Sequence, residues 1–452
     1  MKHLSLIRPK VWLGYTVFHV AAVAYLLMLT QCSDKLEVTR TYRYLEPVYM
    51  TTDEVRNSFA VAPPETLSTT GKIYYLAPYL FINKPGEGIH VIDNSDPANP
   101  VNLNFINIPG NYDMAAKGSM LYADSFIDLL AIDISNLDDV KIVSRVEDVF
   151  PRFASWNNWT TSINGEDMVL TEWVEREEVD VLEGHLDEVA PNLYRYGSGF
   201  ITDDFATFDM AFTNRAASSE VMSQGGGQQS QTGIGGSMAR FAISGERLYA
   251  VDDSNIQVFD ITQLDDPTEG NEIQVGFGIE TIFPYKDKLF IGSQAGMFIY
   301  NNTDPDNPEY ESEFIHARAC DPVVANDTVA YVTLRDGNAC WGANNQLDVI
   351  DIKDVSNPRL IESYSMDHPH GLAIAGTTLF ICEGEFGLKV FDASNSREVS
   401  ENLLVHIKDI HAFDVIPLDG VLMVIGDDGL YQYDYSNPAD LKLLSTMTLV
   451  AL

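Results

Sequence analysis

The sequence predicts an all-β fold, a β-propeller of four-stranded blades, and three observations carry that prediction. A strand pattern ending in Asp or Asn recurs seven times: Gly88-Ile89-His90-Val91-Ile92-Asp93, Leu129-Leu130-Ala131-Ile132-Asp133, Asn255-Ile256-Gln257-Val258-Phe259-Asp260, Gly296-Met297-Phe298-Ile299-Tyr300-Asn301, Gln346-Leu347-Asp348-Val349-Ile350-Asp351, Gly387-Leu388-Lys389-Val390-Phe391-Asp392 and Gly429-Leu430-Tyr431-Gln432-Tyr433-Asp434. The closing positions 93, 133, 260, 301, 351, 392 and 434 are separated by 40, 127, 41, 50, 41 and 42, a period of about 41 that suits one blade. The repeated strands are apolar and β-branched on both faces, as a sheet covered on each side by a neighbour requires.

Taken in order, the chain opens with Lys2, Arg8 and Lys10 ahead of an apolar run from Val11 to Thr30, the layout of a secretory signal. Cys32 follows directly, then Ser33, Asp34 and Lys35. This arrangement resembles the lipid-modified cysteine of bacterial lipoproteins, with Gln31 where that family has a small residue. It implies residues 1–32 as a signal peptide, lipidation at Cys32 and a place in the cell envelope, at the outer membrane or cell surface. An uncleaved anchor is the alternative, since about 20 apolar residues span a bilayer. Residues 33–70, with Pro47, Pro63 and Pro64, read as a spacer with one short helical candidate near Thr52 to Asn57.

The propeller is then expected over 71–452. Each unit reads as an apolar stretch, a turn, a second strand, the repeated strand, a Ser/Asn-Pro turn and a fourth strand; in the last unit these fall at Ala412 to Ile416, Val421 to Ile425, Gly429 to Tyr433 and Leu441 to Leu449. The closing Asp or Asn can bond its own backbone in an Asx turn, and the Pro halts the ladder. Turn chemistry is therefore preferred over calcium ligation, even where Asp304 and Asp306 lie among Asn301, Asn302 and Asn307. The interval of 127 is read as an insertion at about 150–237 between the second and third of seven blades; degenerate blades there would make eight. Within it, Asp167 to Leu182 can form a hairpin, and Gln224 to Gly236 is Gly/Gln/Ser-rich and reads as flexible. These repeats resemble the LVIVD-repeat family of exported bacterial proteins over roughly 72–450. The resemblance implies a propeller and export, and supplies no reaction.

Blade geometry places the fourth-to-first and second-to-third connections on one face. The insertion and Leu334 to Asn345 both fall there, and they contain Trp156, Trp159, Trp173 and Trp341. Such aromatics suit protein hot spots or sugar stacking, or pin the insertion to the scaffold. The starts of the first strands line the channel mouth on that face, which gathers Tyr112, Arg240, Glu280, Cys320, His370 and His411, with His316, Arg318 and His368 just before. A ring of His, Glu and Arg can hold a metal or an anion. No spacing enforces it, so no metal and no cofactor is expected. Cys320 and Cys340, on the same face of an exported chain, are expected to bridge, with a thiolate beside His370 as the alternative. Cys382, inside Leu379-Phe380-Ile381-Cys382, reads as a buried free thiol.

The 452 residues carry 28 Lys+Arg against 66 Asp+Glu, a net charge of −38, which excludes a phosphate-rich partner such as nucleic acid. The run from Glu166 to Glu188 has Arg176 as its only Lys or Arg and reads as a solvated acidic face. The leading expectation is a non-catalytic binder of a protein or carbohydrate ligand, touching the membrane only through its lipid, with oligomeric state open. The binding set is Trp156, Trp159, Trp173, Trp341, Arg240, His316, Arg318, His370 and His411. The alternative is a channel-mouth enzyme, a metal-assisted hydrolase or lyase using His370, His411, Glu280 and Arg318; a structural assembly protein is the third reading.

Overall fold

The structure, a computed structural model, describes residues 19–20, 36–150, 152–154, 157–158, 160–184, 217–218, 232–316, 322–336 and 344–449. The chain divides into two compact units. One comprises 1–46 and 173–206. Its described residues belong mainly to two neighbouring strands, where Arg43 pairs with Glu175 at 3.3 Å, Arg176 with Glu46 at 2.7 Å, and Tyr42 donates to Glu178 at 2.8 Å. Among its described residues the acidic run is thus partly neutralised by two arginines.

The other unit, 47–172 and 207–452, holds the propeller. Among the described residues seven sheets each contain four consecutive strands, six of them with no other strand and the first with one added at either edge. Their inner strands are Ile73–Leu76, Met114–Lys117, Phe241–Ser244, Ile279–Tyr285, Val323–Ala325, Leu372–Ala375 and Asp414–Leu418, which define blades 1 to 7. Period-2 alternation sends neighbouring side chains to opposite sides of a blade. In the second strand of blade 1, Tyr79–Lys84, Phe81 joins a core shared with blades 2 and 3, whereas Leu80 and Ile82 join Ile416, Met423 and Ile425 of blade 7. Blades 3 and 4, blades 4 to 6, and blades 6 and 7 share further cores, so the ring is closed. Blades 2 and 3 share a core, and among the described residues no further four-stranded sheet lies between them. Among the described residues no strand from one end of the chain completes a blade begun at the other; closure rests on this core and on contacts such as Asn94 with Gln432 at 2.9 Å.

The repeated strand keeps its turn in every blade. Asp93, Asp133, Asp260, Asn301, Asp351, Asp392 and Asp434 each accept a hydrogen bond from the backbone N–H two residues on, between 2.8 and 3.0 Å. Every third-to-fourth strand pair also carries a register shift, at Val91/Ile92 in blade 1 and Gln432/Tyr433 in blade 7. Such bulges twist an outer edge away from further pairing.

Three expectations are corrected. Residues 33–70 are more than a spacer: they hold strand Leu36–Thr51, helix Thr52–Arg56 and strand Ala60–Ala62, which adds to the outer edge of blade 1. The helix starts at a capping box, with Glu54 N–H donating to the Thr51 hydroxyl at 3.2 Å and Thr51 N–H to the Glu54 carboxylate at 2.8 Å. Second, Asp167 to Leu182 is not a hairpin but part of one strand, Glu166–Gly184. The hairpin lies earlier, where Thr160–Ile163 turns through Asn164 and Gly165, both at positive φ, the Asn-Gly chemistry of a tight turn. Third, the described end of the Gly-rich stretch is not a flexible linker: 232–239 runs along the inner strands of the ring.

That segment is antiparallel to the inner strand of blade 1, with Ile234 opposite Tyr75 and Gly235 opposite Tyr74. It also pairs Ser237 and Met238 with Ser218 and Ala217, and touches the inner strands of blades 2, 4, 5 and 7. Its glycines serve close approach rather than flexibility: a Cβ on Gly233 would lie 2.3 Å from the Tyr74 ring. Ile234, Ser237, Met238 and Ala239 are buried.

Candidate functional site

The channel mouth is built where the chain enters each inner strand. Lys72, just before blade 1, forms a buried ion pair with Asp113, just before blade 2. Asp113 also accepts from the backbone N–H of Arg240 at 2.6 Å, tying in blade 3. Behind it Asp124 accepts from the N–H groups of Tyr112 at 2.7 Å and Asp113 at 2.9 Å, and from the Asn111 amide at 2.8 Å. Burial pushes the Asp124 pKa up to about 7 against those donors, and lowers that of Lys72 against the pull of Asp113.

Next to this network, at the start of blade 7, Asp414 accepts from the backbone N–H of Ser237 at 3.0 Å and from its hydroxyl at 3.2 Å. The same hydroxyl accepts from Leu372 N–H of blade 6 at 2.5 Å. Asp414 thereby joins the threaded segment to two blades.

The histidines gather beside it. His370 is buried, contacts Arg335, and lies 3.2 Å from His368. His368 is 3.8 Å from Asp336. Burial, with Arg335, His368 and His411 adding repulsion, holds the His370 pKa well below its ordinary value, so it is neutral at pH 7. His411 turns to Asp427 at 3.2 Å, and the Phe413 ring lies tilted against both histidines, 4.9 Å from His370 and 6.1 Å from His411. Among the described residues no three His, Cys, Asp or Glu groups are placed to hold a metal. Glu280 and His370 do meet, lining a cavity of about 10 Å³ with Thr281, Arg335 and Met238. That volume is of the order of one water molecule. Arg240 belongs to the Lys72 network, and His316 follows the outer strand of blade 4, its ring 6.5 Å from Phe314. Cys382 is a buried free thiol whose pKa burial raises.

Trp173 lies in the other unit, 37% exposed. Trp156, Trp159, Trp341, Arg318, Cys320, Cys340 and Cys32 lie outside the described residues. The sequence reading missed Lys72, Asp113, Arg335 and Asp414. The signal for Asp113 was one residue away: Tyr112 was placed at the mouth, and a one-residue slip turns a strand's side chains to the other side.

A larger space opens on the loop face of blade 2. A cleft of about 780 Å³ lies between the capped helix, the turn at Ile127, Asp148 and the hairpin of Thr160 to Asp167. Hydroxyls and carboxylates line it, including Thr52, Asp53, Thr161, Ser162 and Glu166. Its framework is firm. Arg56 binds Asp128 at 2.8 and 2.9 Å and Asp148 at 3.1 Å, and Val55 packs with Phe126, Ile127, Val169 and Leu170.

The LVIVD repeat family matches residues 332–366, the second to fourth strands of blade 5. No curated protein matches the sequence. Similar solved structures include a protein from Lactobacillus plantarum, at TM-score 0.49 and 12% identity over 87% of this chain and 97% of that one. Sqt1 of Saccharomyces cerevisiae gives TM-score 0.46 and 9% identity over 88% and 89%, and BamB from Moraxella catarrhalis 0.44 and 9% over 86% and 99%. These likenesses carry no functional argument. The chain is a β-propeller that carries an LVIVD repeat at residues 332–366, and the Asx-terminated strand of that repeat recurs in each of the seven blades among the described residues.

Proposed function

We propose that this chain is an exported envelope lipoprotein, anchored through Cys32, whose propeller is a non-catalytic binder of a protein or carbohydrate through the face carrying the inter-blade loops. One observation carries the binding reading. The channel, where a propeller enzyme would seat a substrate, is threaded by the chain's own residues 232–239, and the cavity between Met238 and His370 has room for about 10 Å³, whereas the loop face of blade 2 offers a cleft of about 780 Å³. A cleft of that size is ordinary for ligand sites. Hydroxyl and carboxylate linings accept hydrogen bonds from sugar hydroxyls or from peptide N–H and ammonium groups.

The test is capture of glycans on an array and of envelope proteins from detergent extracts, with the wild type beside Thr161→Tyr, which fills the cleft from its exposed wall. Loss of capture by tenfold or more in the variant supports the reading. Equal capture by both moves the site elsewhere. Metal-dependent turnover abolished by His370→Ala overturns the non-catalytic reading.

A further inference from the structure

The four strands of every blade are complete without residues 232–239, although Ile234 adds to the core between blades 1 and 7. Each blade takes its four strands from consecutive chain and shares a core with both neighbours. The segment meets the inner strands through a handful of bonds: two paired positions on blade 1, a single bridge from Thr232 to Lys117, the Gly233 N–H to Ala116 carbonyl bond of 2.8 Å on blade 2, Ile282 N–H to the Ala239 carbonyl at 2.9 Å on blade 4, and Leu372 N–H to the Ser237 hydroxyl at 2.5 Å on blade 6. Its middle is fastened by one side chain, Asp414, through both donors of Ser237.

The fastening is built for that one carboxylate. A Cβ on Gly236 would come within 2.0 Å of Asp414 Oδ2, and one on Gly371 within 2.3 Å of Oδ1, so two glycines make its room. Asp414 is fully buried, and its Oδ2 accepts no hydrogen bond among the described residues. An ionised carboxylate with one oxygen neither hydrated nor paired is costly, whereas a protonated one is not.

We propose that residues 232–239 form a releasable strap through the propeller channel, held by the Asp414–Ser237 clasp, and that its withdrawal opens the channel to solvent. Met238 forms one wall of the small cavity beside Glu280, Arg335 and His370, so withdrawal joins that cavity to the channel. The clasp responds to pH. Burial pushes the Asp414 pKa up to about 8, with Val415 N–H, Ser237 and Lys72 opposing. The other ionisable groups facing it are Cys382, itself raised by burial, and Glu383, which Lys389 neutralises at 2.6 Å. The strapped state therefore keeps a proton that a solvated carboxylate releases near 3.8. Retention is complete below that ordinary value and weakens as pH rises towards about 8, by up to about tenfold per pH unit for one proton.

Amide hydrogen exchange of the full chain between pH 5 and 8, corrected for intrinsic rates, tests this. Protection of 234–238 is expected to fall by up to tenfold per unit while protection of the second strand of blade 5, Val329–Leu334, stays level. Asp414→Asn is expected to remove the slope; Ser237→Ala, which keeps the carboxylate, is expected to lower strap protection across the range. A flat wild-type profile, strap exchange in step with 329–334, an unchanged slope in Asp414→Asn, or undiminished protection in Ser237→Ala overturns the proposal. Should Asp414→Asn not fold, the wild-type profile and Ser237→Ala decide it alone.

Discussion

Blade 7 contains two aspartates that accept the same kind of bond and live in opposite environments. Asp434, at the end of the repeated strand, accepts from Ser436 N–H at 2.8 Å in open solvent, and that bond with the Ser436 side chain lowers its pKa. Asp414, at the start of the inner strand, accepts from Ser237 N–H at 3.0 Å in a fully buried position, and burial pushes its pKa up to about 8. Donors alone would lower both. Desolvation wins at Asp414 because it acts on the whole charge, while each donor acts on one oxygen. The turn aspartate is a local device repeated around the ring, and the clasp is a single tertiary one.

The sharpest way to break the contrast is to leave a buried charge without its partner. Lys72→Met strands Asp113 in the channel wall beside the clasp and is expected to cost ~3–5 kcal/mol in urea unfolding. A loss below about 1 kcal/mol would mean that the backbone N–H groups of Arg240 and Met114 hold Asp113 without the lysine. Gly236→Val, which drives a side chain into Asp414, is expected to cost about 1–3 kcal/mol through overpacking. An unchanged midpoint would mean that the segment simply moves aside. Smallest of all, Asp434→Ala removes one solvent-exposed acceptor and is expected to shift the melting temperature less than either. Its sign with pH is opposite to that of the clasp. A carboxylate lowered in the folded state stabilises above its unfolded pKa and loses that contribution as pH falls through the folded value, whereas raised Asp414 loses its contribution as pH rises. Asp434→Asn should keep the turn at neutral pH and lose the acid dependence; an unaltered acid limb in thermal melts would remove this turn from the account.

The fold was readable because its signals are local and repeated. Leu441 to Leu449 was expected as the fourth strand of the last unit and Lys442–Thr448 is observed, the small difference being the usual fraying of an edge. The helix near Thr52 was readable for the same reason, its capping box lying within four residues. The site was read in part. His368 and His370 do adjoin, yet their Arg335 partner sits far along the chain with no repeat to mark it. His411 was aligned with them correctly, while Phe413 between the rings was invisible because pattern does not encode which way a ring turns.

Period and composition determined that about forty residues make a blade, that blades follow one another, and that each ends in an Asx turn. These are consequences of short-range geometry, which every copy restates. Only the tertiary structure decided what fills the middle. A stretch of Thr-Gly-Ile-Gly-Gly-Ser reads as a linker by composition, and becomes a buried strand because seven inner edges surround it and one carboxylate from the far end of the chain meets its serine. Contacts between distant residues that occur once leave no period to read.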